Sequence, residues 1–119
     1  MPSSQAVTCQ IRYTLNLAKL DAFEAYPRTW ISLIERYGGI HHEYFIPRNN
    51  PNNVGASFPG LGYDDPTDVA VAMFTFPDDE SYRLYRNRVA ADPECIAAAT
   101  LVRETGCLTR YERLFLRPV

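Results

Sequence analysis

From Val7 to Leu15, apolar and polar residues alternate. Val7, Cys9, Ile11, Tyr13 and Leu15 fall on one side, and Thr8, Gln10, Arg12 and Thr14 on the other. Alternation of period two over this span predicts a half-buried strand. The spacing then changes. Leu20, Phe23, Tyr26, Trp30, Leu33, Ile34 and Tyr37 recur three or four residues apart, the apolar stripe of an amphipathic helix. Pro27 lies inside that stretch and cannot donate to the carbonyl of Phe23, which predicts a kink or break close by. Gly38-Gly39 supplies the left-handed cap that stops the helix. Ile40 to Ile46 reads as a second strand. Strict alternation would set Ile40, His42, Tyr44 and Ile46 on one face and His41, Glu43 and Phe45 on the other.

The segment 47–68 holds four prolines, three glycines and four asparagines. It is longer than the connections compact domains usually contain, so a lid, an arm reaching a partner or a partly disordered stretch is expected. Val69 to Phe76 is apolar on both faces, the mark of a central strand covered on both sides. Asp78 or Asp79 caps a helix after Pro77, and Tyr82, Tyr85 and Val89 form its inner stripe. Asp92-Pro93 starts another helix, with Asp as cap and Pro in the first helical position. It runs through Ala97-Ala98-Ala99 to Gly106, and Cys107 to Leu116 is the last strand.

Two strand–helix–strand units, Val7 to Ile46 and Val69 to Leu116, thus lie end to end. With right-handed crossovers both helical layers fall on one face of the sheet. The expected fold is α+β: a ferredoxin-like βαββαβ with a four-stranded antiparallel sheet and helices on one face. The other face receives no helix, yet the third strand is apolar there too. A homodimer through the helix-free sheet face resolves this.

Composition narrows the functional classes. The 119 residues make a single domain, 1–119, with a formal net charge of −2. That is not the basic footprint of a nucleic-acid binder. No apolar run approaches a membrane span, and the first residues do not read as a signal peptide. Three cysteines, Cys9, Cys95 and Cys107, form no CxxC pair, which reads as reduced thiols in a cytoplasmic protein.

No strong catalytic motif is present. His41 and His42 are adjacent, so on a strand they point apart and no metal site is expected. His42, on the face assigned to Tyr44, is the candidate for proton handling together with Tyr44. His41 and Glu43 read as a pair on the opposite face. Arg83, Arg86 and Arg88 read as a solvated helix face balanced by Asp79 and Glu80. Gly60-Leu61-Gly62 lacks the strand-to-helix context of a phosphate loop, no nucleophile elbow occurs, and no cofactor is implied. The most suggestive constellation is aromatic. Tyr13, Tyr26, Trp30, Tyr44, Tyr82 and Tyr85 converge between sheet and helices, with His42 placed beside them. Such walls with polar tips describe small-molecule pockets and also tyrosine-rich cores.

The order and spacing of several short stretches resemble the NIPSNAP family. They are Ile11-Arg12-Tyr13-Thr14-Leu15, Lys19-Leu20-Asp21-Ala22-Phe23, Tyr37-Gly38-Gly39, Ala90-Ala91-Asp92-Pro93-Glu94 and Leu114-Phe115-Leu116-Arg117-Pro118-Val119. The resemblance implies a homodimeric, ferredoxin-like domain of the dimeric α/β-barrel group and brings no settled activity. The function expected from it and from the aromatic set is binding of a small apolar or aromatic molecule, with Tyr13, Tyr26, Trp30, His42, Tyr44 and Tyr85 in contact. Related barrels also imply a cofactor-independent oxygenase or a haem-degrading enzyme, in which Trp30 would position substrate. A third possibility is a structural or adaptor module acting through the loop 47–68.

Overall fold

The computed structural model describes residues 5–51, 53–55, 57–58, 60–62, 64 and 67–119. Strands β1 (Val7–Leu15), β2 (Ile40–Phe45), β3 (Val69–Phe76) and β4 (Leu108–Leu116) form one sheet in the order β2-β3-β1-β4. Every pairing is antiparallel. The expected ferredoxin-like topology is therefore present. Helices α1 (Leu20–Glu24), α2 (Tyr26–Arg36), α3 (Asp79–Val89) and α4 (Pro93–Thr105) complete it.

Local chemistry explains the boundaries. The first helical stretch breaks between Glu24 and Tyr26, and Pro27 falls in the first turn of α2, where a missing N–H costs nothing. Gly38 has φ of +95° after the end of α2. The N–H of Gly39 then reaches back to the Ile34 carbonyl at 2.9 Å and that of Gly38 to Glu35 at 3.3 Å, the paired bonds of a Schellman cap. Asp78 caps α3 by accepting from the Ser81 N–H at 2.8 Å, and Asp92 caps α4 by accepting from the Glu94 N–H at 2.9 Å. Of the two caps considered for α3, Asp78 is the one used.

Cys9, Tyr13 and Leu15 of β1 are buried beneath the helices, as are Ala70, Ala72, Phe74 and Phe76 of β3. The buried side chains fall into two clusters. One gathers Cys9, Leu33, Ile34, Phe74, Phe76 and Val89 with Tyr85. The other gathers Tyr13, Leu15, Phe23, Ala70, Ala72 and Cys107. Ile11 packs against both. On the reverse face Thr8 and Thr75 share a 2.8 Å hydrogen bond, and no helix of the described residues covers them.

Part of the long connection, including Asn52, Ala56, Pro59, Tyr63, Asp65 and Pro66, lies outside the described residues, and with it the expectation of a lid, an arm or a partly disordered stretch. In the described part Val54, Phe58 and Leu61 stand 69%, 72% and 82% exposed.

The two helical layers are clamped by one acid. Asp92 accepts from Tyr37 Oη at 2.7 Å and from Arg36 Nη1 at 2.9 Å, while Arg36 Nη2 donates to Glu94 at 2.7 Å. The end of α2 is thereby tied to the start of α4. The Tyr37 hydroxyl, the Glu94 backbone N–H and Arg36 together hold the Asp92 carboxyl below the usual carboxylate range, against the opposing effect of burial.

Two predictions test this frame. A Cβ on Gly39 would lie 2.7 Å from Phe76 Cζ and 2.8 Å from Ile34 Cγ2. Gly39→Ala is expected to cost about 1–3 kcal/mol by overpacking, read as a lower urea midpoint. Asp92 has a folded pKa below its unfolded value, so its stabilisation is complete above that unfolded value, about 4, and fades as pH falls through the folded one. Urea midpoints of the wild type and Asp92→Asn should therefore differ at neutral pH and converge in acid.

Candidate functional site

Between the two core clusters lies a cavity of about 330 Å³. Its sheet wall comes from Ile11 and Tyr13 of β1 and Tyr44 of β2, and its helix wall from Tyr26, Trp30 and Ile34 of α2 and Cys95, Ala99 and Val102 of α4. The short side chains of α4 do not fill the space opposite the sheet. The break ahead of Pro27 starts α2 at Tyr26, so α2 brings Tyr26 and Trp30 to the wall.

Cross-strand register explains how two large rings fit side by side. Tyr13 is opposite Ala70 and Tyr44 is opposite Ala72. Both alanines are fully buried and leave room for the phenols. The two rings stack at 6.1 Å and their hydroxyls meet at 3.2 Å. Tyr26 stands edge-on to Tyr13 at 5.8 Å, and Trp30 follows at 6.1 Å. Burial pushes Tyr26 up to about 12 and raises Tyr13, Tyr44 and Tyr85 strongly. These phenols are neutral at physiological pH. Among the described residues the buried indole Nε1 of Trp30 makes no hydrogen bond of good geometry; it lies towards the Tyr26 hydroxyl, where it opposes the effect of burial on that phenol.

Tyr13, Tyr26, Trp30, Tyr44, Tyr82 and Tyr85 all line the cavity. His42 does not. A β-bulge between His41 and Glu43 adds a residue to β2, so His41 pairs with Phe74 while Glu43 pairs with Met73. The extra residue reverses the faces on the N-terminal side of Tyr44. His41, not His42, shares the helix-facing side with Tyr44 and stacks on it at 4.8 Å. His42 Nε2 meets Thr75 Oγ1 at 2.8 Å on the uncovered face. The expectation that His42 and Tyr44 handle protons together in the cavity is therefore corrected: they lie on opposite sides of the sheet. The expected His41–Glu43 pairing fails for the same reason. His41 is no substitute, because it backs Tyr44 and does not reach the cavity wall. Its Nε2 is buried without a hydrogen-bond partner among the described residues, and burial lowers its pKa.

Sequence reasoning missed part of the rim. Arg86 of α3, assigned to a solvated face, lines the cavity, as do Arg103 of α4 and Tyr111 and Arg113 of β4. Tyr111, Arg113 and Phe115 share one face by simple alternation, a signal present in the sequence once the faces of β4 are assigned. Arg113 donates to Tyr82 Oη at 3.1 Å and lies over the Phe115 ring at 5.4 Å. Among the described residues no group of three His, Cys, Asp or Glu side chains could hold a metal ion, and no helix is long and apolar enough to cross a membrane.

No protein-family model matches the sequence, and no curated protein matches it significantly. Solved structures do match. A NIPSNAP-like domain protein from Burkholderia xenovorans superposes with a TM-score of 0.66 at 19% identity, covering 98% of this chain and 88% of that one. A NIPSNAP family protein of unknown function from Agrobacterium tumefaciens gives 0.70 at 15% identity, with 98% and 90% covered. SnoaB, a cofactor-independent oxygenase from Streptomyces nogalater, gives 0.58 at 18% identity, with 97% and 94% covered. At these identities the likeness concerns fold, and the fold of this chain is the NIPSNAP-like, ferredoxin-like one.

Proposed function

We propose that this chain binds a small apolar or aromatic molecule in the cavity between sheet and helices, and does so as a cytoplasmic homodimer. The observation that carries the reading is the cavity itself. The convergence of aromatic side chains does not end in close packing but encloses about 330 Å³, at the lower end of the range for ligand pockets. Its wall is mostly apolar, and the Trp30 N–H, which is only loosely engaged by the Tyr26 hydroxyl, offers an orienting donor.

The homodimer is supported by shape and by uncovered apolar residues. The chain is a slab of 46 × 40 × 17 Å. It exposes 8365 Å², against roughly 6,600 Å² for a compact monomer of this mass. Register puts Val71 and Met73 of β3, Phe45 of β2 and Leu114 and Leu116 of β4 on the helix-free face. A second copy packed there, or the exposed loop residues of one, would cover them. The unpaired state of Cys9, Cys95 and Cys107 supports a reducing compartment.

The oxygenase reading has the fold of SnoaB behind it. It is the weaker one on chemistry: the cavity wall among the described residues offers no imidazole or carboxylate as base, and burial keeps its phenols protonated.

The single tryptophan gives a direct assay, because its indole N–H signal in NMR can only be that of Trp30. Titration with naphthamide, a neutral two-ring probe, is expected to shift that signal, and Ala99→Phe, which narrows the cavity from α4, to reduce the shift. An unmoved signal at millimolar probe would overturn the binding reading. Light scattering is expected to give twice the 13.6 kDa chain mass, and Met73→Glu on the open face to give the monomer. A wild type that is monomeric at high micromolar concentration would remove the dimer.

A further inference from the structure

The charged residues at the cavity deepen the proposal and rest on it. Arg86, Arg103 and Arg113 come from α3, α4 and β4, three elements separated in sequence, and all reach the same cavity. No aspartate or glutamate lines it among the described residues. The chain carries 14 acidic against 12 basic residues, so this local excess of positive charge runs against its overall balance. None of the three guanidinium groups is in a salt bridge among the described residues; the ion pairs there join Arg36 to Asp92 and Glu94, and Arg110 to Glu112. Two of the three are held in place by neutral contacts. Arg86 lies over the Tyr85 ring at 5.7 Å, and Arg113 is bonded to Tyr82 and laid over Phe115. Arg103 makes a long 3.4 Å bond to Thr100. Their field also reaches inward, where Arg113 and Arg86 oppose the effect of burial on the Cys9 thiol.

We infer that the ligand is an aromatic carboxylate, its ring system seated among the tyrosines and its carboxylate held at the rim by Arg86, Arg103 and Arg113. The guanidinium fork matches a carboxylate in shape and charge, and pairs of this kind are stronger than bonds between neutral groups. All three arginines remain exposed, so they keep their hydration until the ligand arrives and the empty site carries no large desolvation penalty. A carboxylate lying in the mouth would meet unpaired positive charge while its ring leaves water. A neutral ligand of the same shape would gain only the second term.

Calorimetric titration with naphthoate and with its neutral amide separates the two terms. The carboxylate is expected to bind about tenfold or more tightly than the amide at low salt, the scale of one charge-assisted hydrogen bond. The preference should shrink at about 0.5 M salt, where exposed charges are screened. It should fall towards unity in the double variant Arg86→Gln/Arg103→Gln, which leaves the Arg113–Tyr82 bond intact. Amide binding equal to or tighter than carboxylate binding in the wild type would overturn the anion assignment while leaving the cavity reading standing. A preference that survives in the double variant and in Arg86→Gln/Arg103→Gln/Arg113→Gln would also overturn it. Binding of neither compound would remove both.

Discussion

Strand β1 is hydrogen-bonded along both edges, to β3 on one side and β4 on the other, and the rest of the molecule depends on its alternation. A slip of one residue would turn Cys9, Ile11, Tyr13 and Leu15 away from the helices and drive Thr8, Gln10, Arg12 and Thr14 beneath them. Burying Arg12 without a partner would by itself cost several kcal/mol. The same strand joins the two halves of the core. Cys9 belongs to one cluster, Tyr13 and Leu15 belong to the other, and Ile11 touches both. The cavity therefore lies across the middle of β1, and Ile11 and Tyr13 are part of its wall because the register allows nothing else.

Much of this was legible in the sequence because it depends on local rules. Alternation gave β1 and its buried face, Pro27 gave the helix break, and Gly38 gave the cap. The converging aromatics also line one space: all but Tyr44 lie on elements whose periodicity is unbroken, and Tyr44 lies beyond the bulge of β2. The histidines were not legible. Strict alternation from Ile40 assigns His42 to the face of Tyr44, and the bulge before Glu43 reverses that assignment. A bulge is a property of a strand pair, here of β2 against an uninterrupted β3, and neither strand alone announces it. The rim arginines were missed for a different reason. Arg86 was balanced against Asp79 and Glu80 on its own helix, whereas its surroundings are set by α4 and β4, which arrive from elsewhere in the chain.

The bulge also explains why proton chemistry and the cavity are kept apart. With His42 bonded to Thr75 on the open face, and His41 stacked behind Tyr44, neither imidazole enters the cavity wall. What remains inside are phenols and the Cys95 thiol, all raised by burial; the phenol hydroxyls can donate and accept hydrogen bonds but do not ionise at neutral pH. Such a wall recognises shape and polarity. On the proposed reading, such a wall would retain a ligand by fit, and the rim guanidinium groups would take the larger part in discriminating among ligands of similar size.

The two faces of the sheet are mechanically linked through β4. It is an edge strand, paired only with β1, and its alternate residues serve both sides. Tyr111 and Arg113 face the cavity, while Leu114 and Leu116 face the open side. In a free chain no helix or strand among the described residues packs across the open face of β4, and an unsupported edge strand is among the first elements to open locally. A second copy packed against Leu114 and Leu116 would restrain the same backbone that carries Arg113. Assembly on one face would then fix the position of a guanidinium on the other, without either face making contact with what the other holds.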